Sequence, residues 1–185
     1  MAARWYAFLR AINTGNPCLT NEQLLAPFAQ MGFADAAAYQ AAGNVAFTSS
    51  EPPDGAHIES VLADAYGFQT PTFVRSGAEV AGIVGADPFT PAEVVGTAGK
   101  VQVAFLRREP SAETVAELAD LVPEGDLVRV VGRGWYWLPT DGIRHPTRSA
   151  RARLRARSVS WWSSGGRSSG CRRPAGSMGE PSRRW

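Results

Sequence analysis

The stretch Arg4-Trp5-Tyr6-Ala7-Phe8-Leu9, followed by Asn13-Thr14-Gly15-Asn16-Pro17, decides the fold. The first part is short and aromatic-rich and reads as a strand, and the Asn/Gly/Pro cluster turns the chain. Thr20-Asn21-Glu22-Gln23 then has the form of a capping box, with Thr20 as N-cap and Gln23 reaching back to it. Leu24, Leu25, Phe28 and Met31 recur at helical spacing, and Gly32 supplies the stop. A short strand at Tyr39-Gln40, a tight turn at Gly43-Asn44 and a strand at Val45-Ala46-Phe47-Thr48 follow. Asp54 caps a helix that carries Ile58, Val61, Leu62 and Ala65 on one face and ends at Gly67. Thr70 to Arg75 is a strand, so residues 4–75 give the order β-α-β-β-α-β.

Ser76-Gly77-Ala78-Glu79 is a second capping box and opens a helix through Val80, Ile83 and Val84, which Asp87-Pro88-Phe89-Thr90-Pro91 breaks. A second series starts at Lys100. It reads as a strand to Leu106, a helix from Ser111 through Val122, and strands at Leu127–Val131 and Trp135–Leu138. Gly132-Arg133-Gly134 between the last two is short enough for a hairpin. The expected fold is α+β: duplicated ferredoxin-like (βαββαβ) halves with antiparallel sheets, the second half incomplete at its C-terminal end. The expected divisions are a first subdomain over 1–76, a connecting helix and loop over 77–99, a second, incomplete subdomain over 100–143, and a tail over 144–185 that is disordered or frameshifted.

Two segments carry a family resemblance. Ala7-Phe8-Leu9-Arg10-Ala11-Ile12-Asn13-Thr14-Gly15 resembles the FLRGINVG-type opening of domain of unknown function 1697, a family of mostly uncharacterised bacterial proteins. Ala41-Ala42-Gly43-Asn44-Val45-Ala46-Phe47 is similar to its QSGNVVF-type segment. The resemblance covers about residues 3–143 and implies two ferredoxin-like halves, with no established enzyme, substrate or cofactor. After Gly142-Ile143 the chain departs from the family's SKLT-type segment, helix and RNW-type segment.

Composition changes at the same place. The 185 residues carry a net charge of +2, but the chain up to Thr140 has 8 basic and 15 acidic residues, and Asp141 to Trp185 has 11 basic and 2 acidic. Lys100 is the only lysine. Arg151, Arg153, Arg155 and Arg157 alternate with Ala152, Leu154 and Ala156, a pattern suited to phosphate contact, and Trp161 and Trp162 offer stacking surfaces. The segment is too poor in aliphatic residues to fold alone. Arg, Gly, Ser and Trp are also what a shifted frame of a GC-rich gene yields, and out-of-frame translation is the favoured reading of the tail.

Several function classes find no support. No stretch approaches the roughly 18 apolar residues of a membrane span, and Arg4 and Arg10 interrupt the apolar N-terminus, which lacks a signal-peptide cleavage signature. Cys18 and Cys171 make no metal quartet and no CxxC, so the spacing indicates no disulfide framework, and a cytoplasmic location is the default. His57 and His145 sit in no ligand-spaced cluster, so no metal, cofactor or catalytic residue is assigned. Glu113, Glu117 and Asp120 form a solvated helix face. Nothing matches a P-loop, GxSxG or HExxH, which leans against an enzyme.

Two binding readings remain. Arg10 at a strand end, with Asn13, Thr14, Gly15, Gly43 and Asn44 in neighbouring polar turns, is the candidate site of a non-enzymatic binder of a small polar or anionic ligand. The plainer account is that the asparagines satisfy turn backbones and Arg10 pairs with a carboxylate. The alternative is RNA or other nucleic acid, held by Tyr6, Phe8 and Phe47 on the sheet and by the arginines of the tail. The acidic body disfavours it. Reading the coding DNA past codon 143 in its other two frames is expected to restore a helix and a strand. If neither frame does, the out-of-frame account of the tail is wrong.

Overall fold

The computed structural model describes residues 1–12, 18–39, 43–97, 100–120 and 122–140, together with the backbone of Val159–Trp162. The first half runs β1 (Ala3–Leu9), α1 (Asn21–Gln30), β2 (Ala37–Tyr39), β3 (Asn44–Ser49), α2 (Gly55–Tyr66) and β4 (Thr72–Ser76). A connector follows, α3 (Gly77–Gly85) and α4 (Pro91–Val95). The second half holds β5 (Gln102–Leu106), α5 (Ala112–Ala119), β6 (Leu127–Val131), β7 (Gly134–Leu138) and β8 (Val159–Trp162). The strands form two antiparallel four-stranded sheets, ordered β2-β3-β1-β4 and β6-β7-β5-β8.

Local sequence signals place the helices. The capping boxes at Thr20–Gln23 and Ser76–Glu79 are both formed, Asp54 caps α2, and Gly67 ends it in the left-handed region at φ 74°. A third box lies where a break is expected. Thr90 accepts from the Glu93 amide and Pro91 takes the first helical position, where a proline loses no hydrogen bond.

Period-two alternation on β1 separates two surfaces. Ala7 and Leu9 point with Val45 and Phe47 into a core closed by Leu24 and Phe28 of α1 and Ile58 and Leu62 of α2. Phe47 is fully buried, and its ring lies 4.4 Å from Phe33 and 5.7 Å from Phe28. Burying one such ring contributes about 1.5–3 kcal/mol. In the second half Ala104, Leu106 and Trp135 pack on Leu118 of α5. The opposite face of that sheet presents Tyr136, Leu138 and Val103, covered by Ile83, Ala86 and Phe89 of the connector. The face of the first sheet turned away from α1 and α2 meets the face of the second turned away from α5 at Phe8 and Phe105, whose ring centroids are 4.5 Å apart.

Three sequence expectations are corrected. The second half is not without a closing strand: Val159–Trp162 pairs antiparallel with β5, Ala104 opposite Trp161. Val159, Trp161 and Trp162 are strand-favouring types that the surrounding Arg/Ser/Gly composition obscures. Phe47 does not share a face with Tyr6 and Phe8. It lies opposite Trp5 across the β1–β3 ladder, and directly opposed residues point the same way. Cys18 takes part in a disulfide, which the cysteine spacing does not indicate. The remainder of 144–185 lies outside the described residues, and no described helix is long and apolar enough to cross a membrane.

Two adjacent turn residues have opposite backbone needs. Ala11 holds φ 61°, a left-handed conformation that costs an L-residue about 1–2 kcal/mol. Gly43 holds φ 79°, and a Cβ there would stand 2.9 Å from the Leu9 carbonyl oxygen and from Ile12. Ala11→Gly is therefore expected to raise stability by about 0.5–1 kcal/mol, the relieved strain being partly offset by unfolded-state entropy. Gly43→Ala is expected to lower it by about 1–3 kcal/mol. Urea unfolding of both variants checks the pair; equal signs would refute the assignment.

Candidate functional site

β4 is an edge strand of the first sheet, and a cleft of about 370 Å³ runs along it. Its apolar wall is Trp5, Pro52, Pro53, Phe73 and Val74, and Gly55 and Ala56 bring in the first turn of α2. Its charged wall is Arg75, Arg107, Arg133 and Glu79. Both halves of the chain therefore build it: Arg107 follows β5 and Arg133 sits in the β6–β7 turn.

Arg75 is the central group. It is only 1% exposed. Its Nη1 donates to the Val74 carbonyl at 2.8 Å, its Nη2 donates to the Leu106 carbonyl, and its guanidinium carbon lies 5.4 Å from the Phe105 ring centroid. Its Nε–H is buried with no acceptor, and among the described residues Arg75 makes no ion pair. Burial, then repulsion from Arg133, pull its pKa down to about 10, and attraction to Glu79 opposes them. At neutral pH it stays charged, a buried cation lacking a hydrogen-bonded counter-anion, an arrangement that is costly unless compensated.

The other two arginines are held in place. Arg107 Nη2 donates to Glu59 Oε1 at 2.5 Å, and its guanidinium lies 5.4 Å from the Phe73 ring centroid. Glu59 Oε1 also accepts from the Thr72 amide at 2.6 Å. Arg133 pairs with Glu79 Oε1, whose Oε2 accepts from the Ser76 amide at 2.9 Å. The Arg107–Glu59 pair crosses from the second half to the first, and the Arg133–Glu79 pair ties the second half to the connector helix α3. Burial opposes ionisation of Glu79, but the bonds from Arg133 and Ser76 outweigh it and hold its pKa below the ordinary glutamate value. Trp5 adds a second buried N–H without an acceptor, its indole Nε1.

The described residues among those chosen from sequence do not line this cleft. The Arg10 amide donates to the Pro71 carbonyl at 3.0 Å, and the Leu9 amide donates to the Gly43 carbonyl at 2.8 Å, so the two turns are neighbours. Gly43 is explained by its φ and by the crowding at its Cα, and Asn44 by its place in β3 opposite Phe8 and Tyr39. Asn13, Thr14 and Gly15 lie outside the described residues, as do Arg151, Arg153, Arg155 and Arg157. Tyr6 and Phe8 do share the face turned away from α1 and α2, but Phe8 is packed on Phe105 and Phe47 is in the core. Among the described residues no three His, Cys, Asp or Glu gather where a metal could be held.

One signal of the site was present in the sequence. Ala7-Phe8-Leu9-Arg10 recurs as Ala104-Phe105-Leu106-Arg107, at the ends of β1 and β5. The equivalence extends to the backbone, since the Leu106 amide donates to the Arg133 carbonyl as the Leu9 amide does to Gly43. The repeat marks Arg107 as the counterpart of Arg10. Arg75 has no such marker.

A family model described as "Protein of unknown function (DUF1697)" matches residues 2–136. The chain belongs to the DUF1697 family. No curated protein matches it. Among solved structures it is similar to the conserved bacterial protein SP0830 from Streptococcus pneumoniae, with a TM-score of 0.59 and 15% identity over 89% of this chain and 94% of that one. At that identity the likeness shows the fold, a mixed α+β architecture.

Glu79 gives the site a pH signature. Its folded pKa lies below the ordinary 4.5, so its stabilising contribution is complete above that value and is lost as the pH falls through the folded one. Glu79→Gln should lower the urea midpoint at neutral pH and flatten its decline between about pH 6 and about pH 3. An unchanged acid limb would show that Glu79 is not paired as described.

Proposed function

We propose that this DUF1697 protein is a non-enzymatic binder of a small anionic ligand, held in the cleft between two ferredoxin-like halves. The strand orders support the description of the halves: each sheet has its first and third strands central and its second and fourth at the edges, with α1 and α2 on one face of the first. The observation that carries the binding reading is Arg75, a buried guanidinium lining a cleft with an unpartnered N–H and no ion pair. Buried donors in folded proteins are almost always satisfied, so an orphan at a cleft wall calls for an acceptor from outside. The first turn of α2 adds positive potential at the same place, and Arg107 and Arg133 line it as donors paired with Glu59 and Glu79. The reading keeps the ligand class inferred from sequence and moves the site from Arg10, Asn13 and Asn44 to Arg75.

Binding is favoured over catalysis by what the lining offers. Its one carboxylate, Glu79, is occupied by Arg133 and the Ser76 amide, and its hydroxyl, that of Thr72, donates to the Thr70 carbonyl at 2.9 Å. Neither forms a nucleophile–base pair.

Thermal unfolding at low ionic strength, titrated with acetate, inorganic phosphate and benzoate, tests the proposal. At least one anion should raise Tm in a concentration-dependent way. Arg107→Gln, at a side chain 41% exposed and so expected to fold, should weaken that binding about tenfold. If none of the three anions shifts Tm, the binding reading fails.

A further inference from the structure

The cleft's two orphan donors fix more than the sign of the ligand's charge. Arg75 lies opposite Tyr6 in the β1–β4 ladder, and Trp5 lies opposite Ser76. Adjacent positions on a strand point to opposite faces, so the Arg75 and Trp5 side chains leave the sheet on opposite sides. Both nevertheless line one cleft, which wraps the free edge of β4. Val74 and the two prolines Pro52 and Pro53 share the apolar wall with Trp5. The two donors therefore approach the cleft from opposite sides of the sheet.

Charge narrows the choice further. Arg107 is matched by Glu59 and Arg133 by Glu79, which leaves the single charge of Arg75 unmatched. One carboxylate balances it. A phosphate monoester, at about −1.5 to −2, overshoots and would stand against Glu79.

Resting on the anion-binding reading of this cleft, we propose that its ligand is an elongated organic monocarboxylate: the carboxylate at Arg75, an apolar body along Val74 and the two prolines, and a second oxygen accepting from the Trp5 indole. These contacts all belong to the first half, beside the junction that the Arg107–Glu59 pair crosses.

Matched probes test this on the full chain by titration calorimetry. 4-Acetylbenzoate carries the distal oxygen, 4-isopropylbenzoate has nearly the same shape without it, and acetate lacks the body. The expected order is 4-acetylbenzoate, then 4-isopropylbenzoate about threefold to tenfold weaker, then acetate weakest of the three. Trp5→Phe, which keeps an aromatic ring on the apolar wall, should abolish the difference between the two aryl acids. If acetate or inorganic phosphate binds as well as the aryl acids, the elongated ligand is refuted while the anion site stands. Equal affinity of the two aryl acids for the unmodified protein refutes the role of Trp5 without need of the variant. If no anion binds at all, both readings fall together.

Discussion

A single guanidinium is pinned where the two sheets meet, and the rest of the molecule is arranged around it. Arg75 spends two of its nitrogens on carbonyls of strands from different halves, Val74 within β4 and Leu106 at the end of β5, and lies near the Phe105 ring. A lysine in its place would offer one point charge and could not address two carbonyls in fixed directions. Each backbone acceptor it meets is neutral, so the charge itself is left without a bonded counter-anion. That residue of positive charge is why the cleft reads as a binding site and not merely as a seam.

The seam is otherwise built from pairs with modest individual worth. Arg107–Glu59 and Arg133–Glu79 are partly exposed, and such pairs contribute roughly 0–1 kcal/mol each. Their effect is geometric: one ties a loop of the second half to α2 of the first, and the other ties a loop of the second half to α3 of the connector. The tilted Phe8–Phe105 contact, worth about 0.5–1.5 kcal/mol beyond its buried area, sits between equivalent positions of the AFLR repeat. The halves thus touch through corresponding residues, yet the register of β8 places Trp162 where β4 has Arg75, since Trp162 faces Val103 as Arg75 faces Tyr6. The residue type at the position of Arg75 is therefore not repeated in the second sheet.

Much of this architecture was legible because its signals are local. Thr20–Gln23 and Ser76–Glu79 read as helix starts from spacings of three residues, and Gly67 as a helix end from its type alone. The Thr90–Glu93 box is equally local but is hidden by Pro91, a residue that breaks helices everywhere except their first turn. The misplacement of Phe47 is of another kind. Alternation within a strand separates its two faces, but only the register between strands says which face matches which, and Trp5 opposite Phe47 is information no single strand contains. Arg75 is the extreme case: its partners Leu106 and Phe105 are about thirty residues away along the chain, and its type alone predicts exposure. Functional chemistry assembled across a tertiary junction leaves no trace in spacing.

The late position of β8 bears on how the protein is made. The first sheet can be complete as soon as Ser76 has been synthesised, since all its strands precede that residue. The second cannot: β5 holds only β7 until Val159–Trp162 emerges, its first residue twenty-one positions after Leu138. Throughout that interval the outer edge of β5 presents unpaired amides and carbonyls beside Phe105 and Leu106, and such an edge is a template for any passing strand. On the ribosome, then, the first half is the early scaffold and the second the exposed client. The speed at which the last segment follows decides whether β5 closes on its own chain or on a neighbour's.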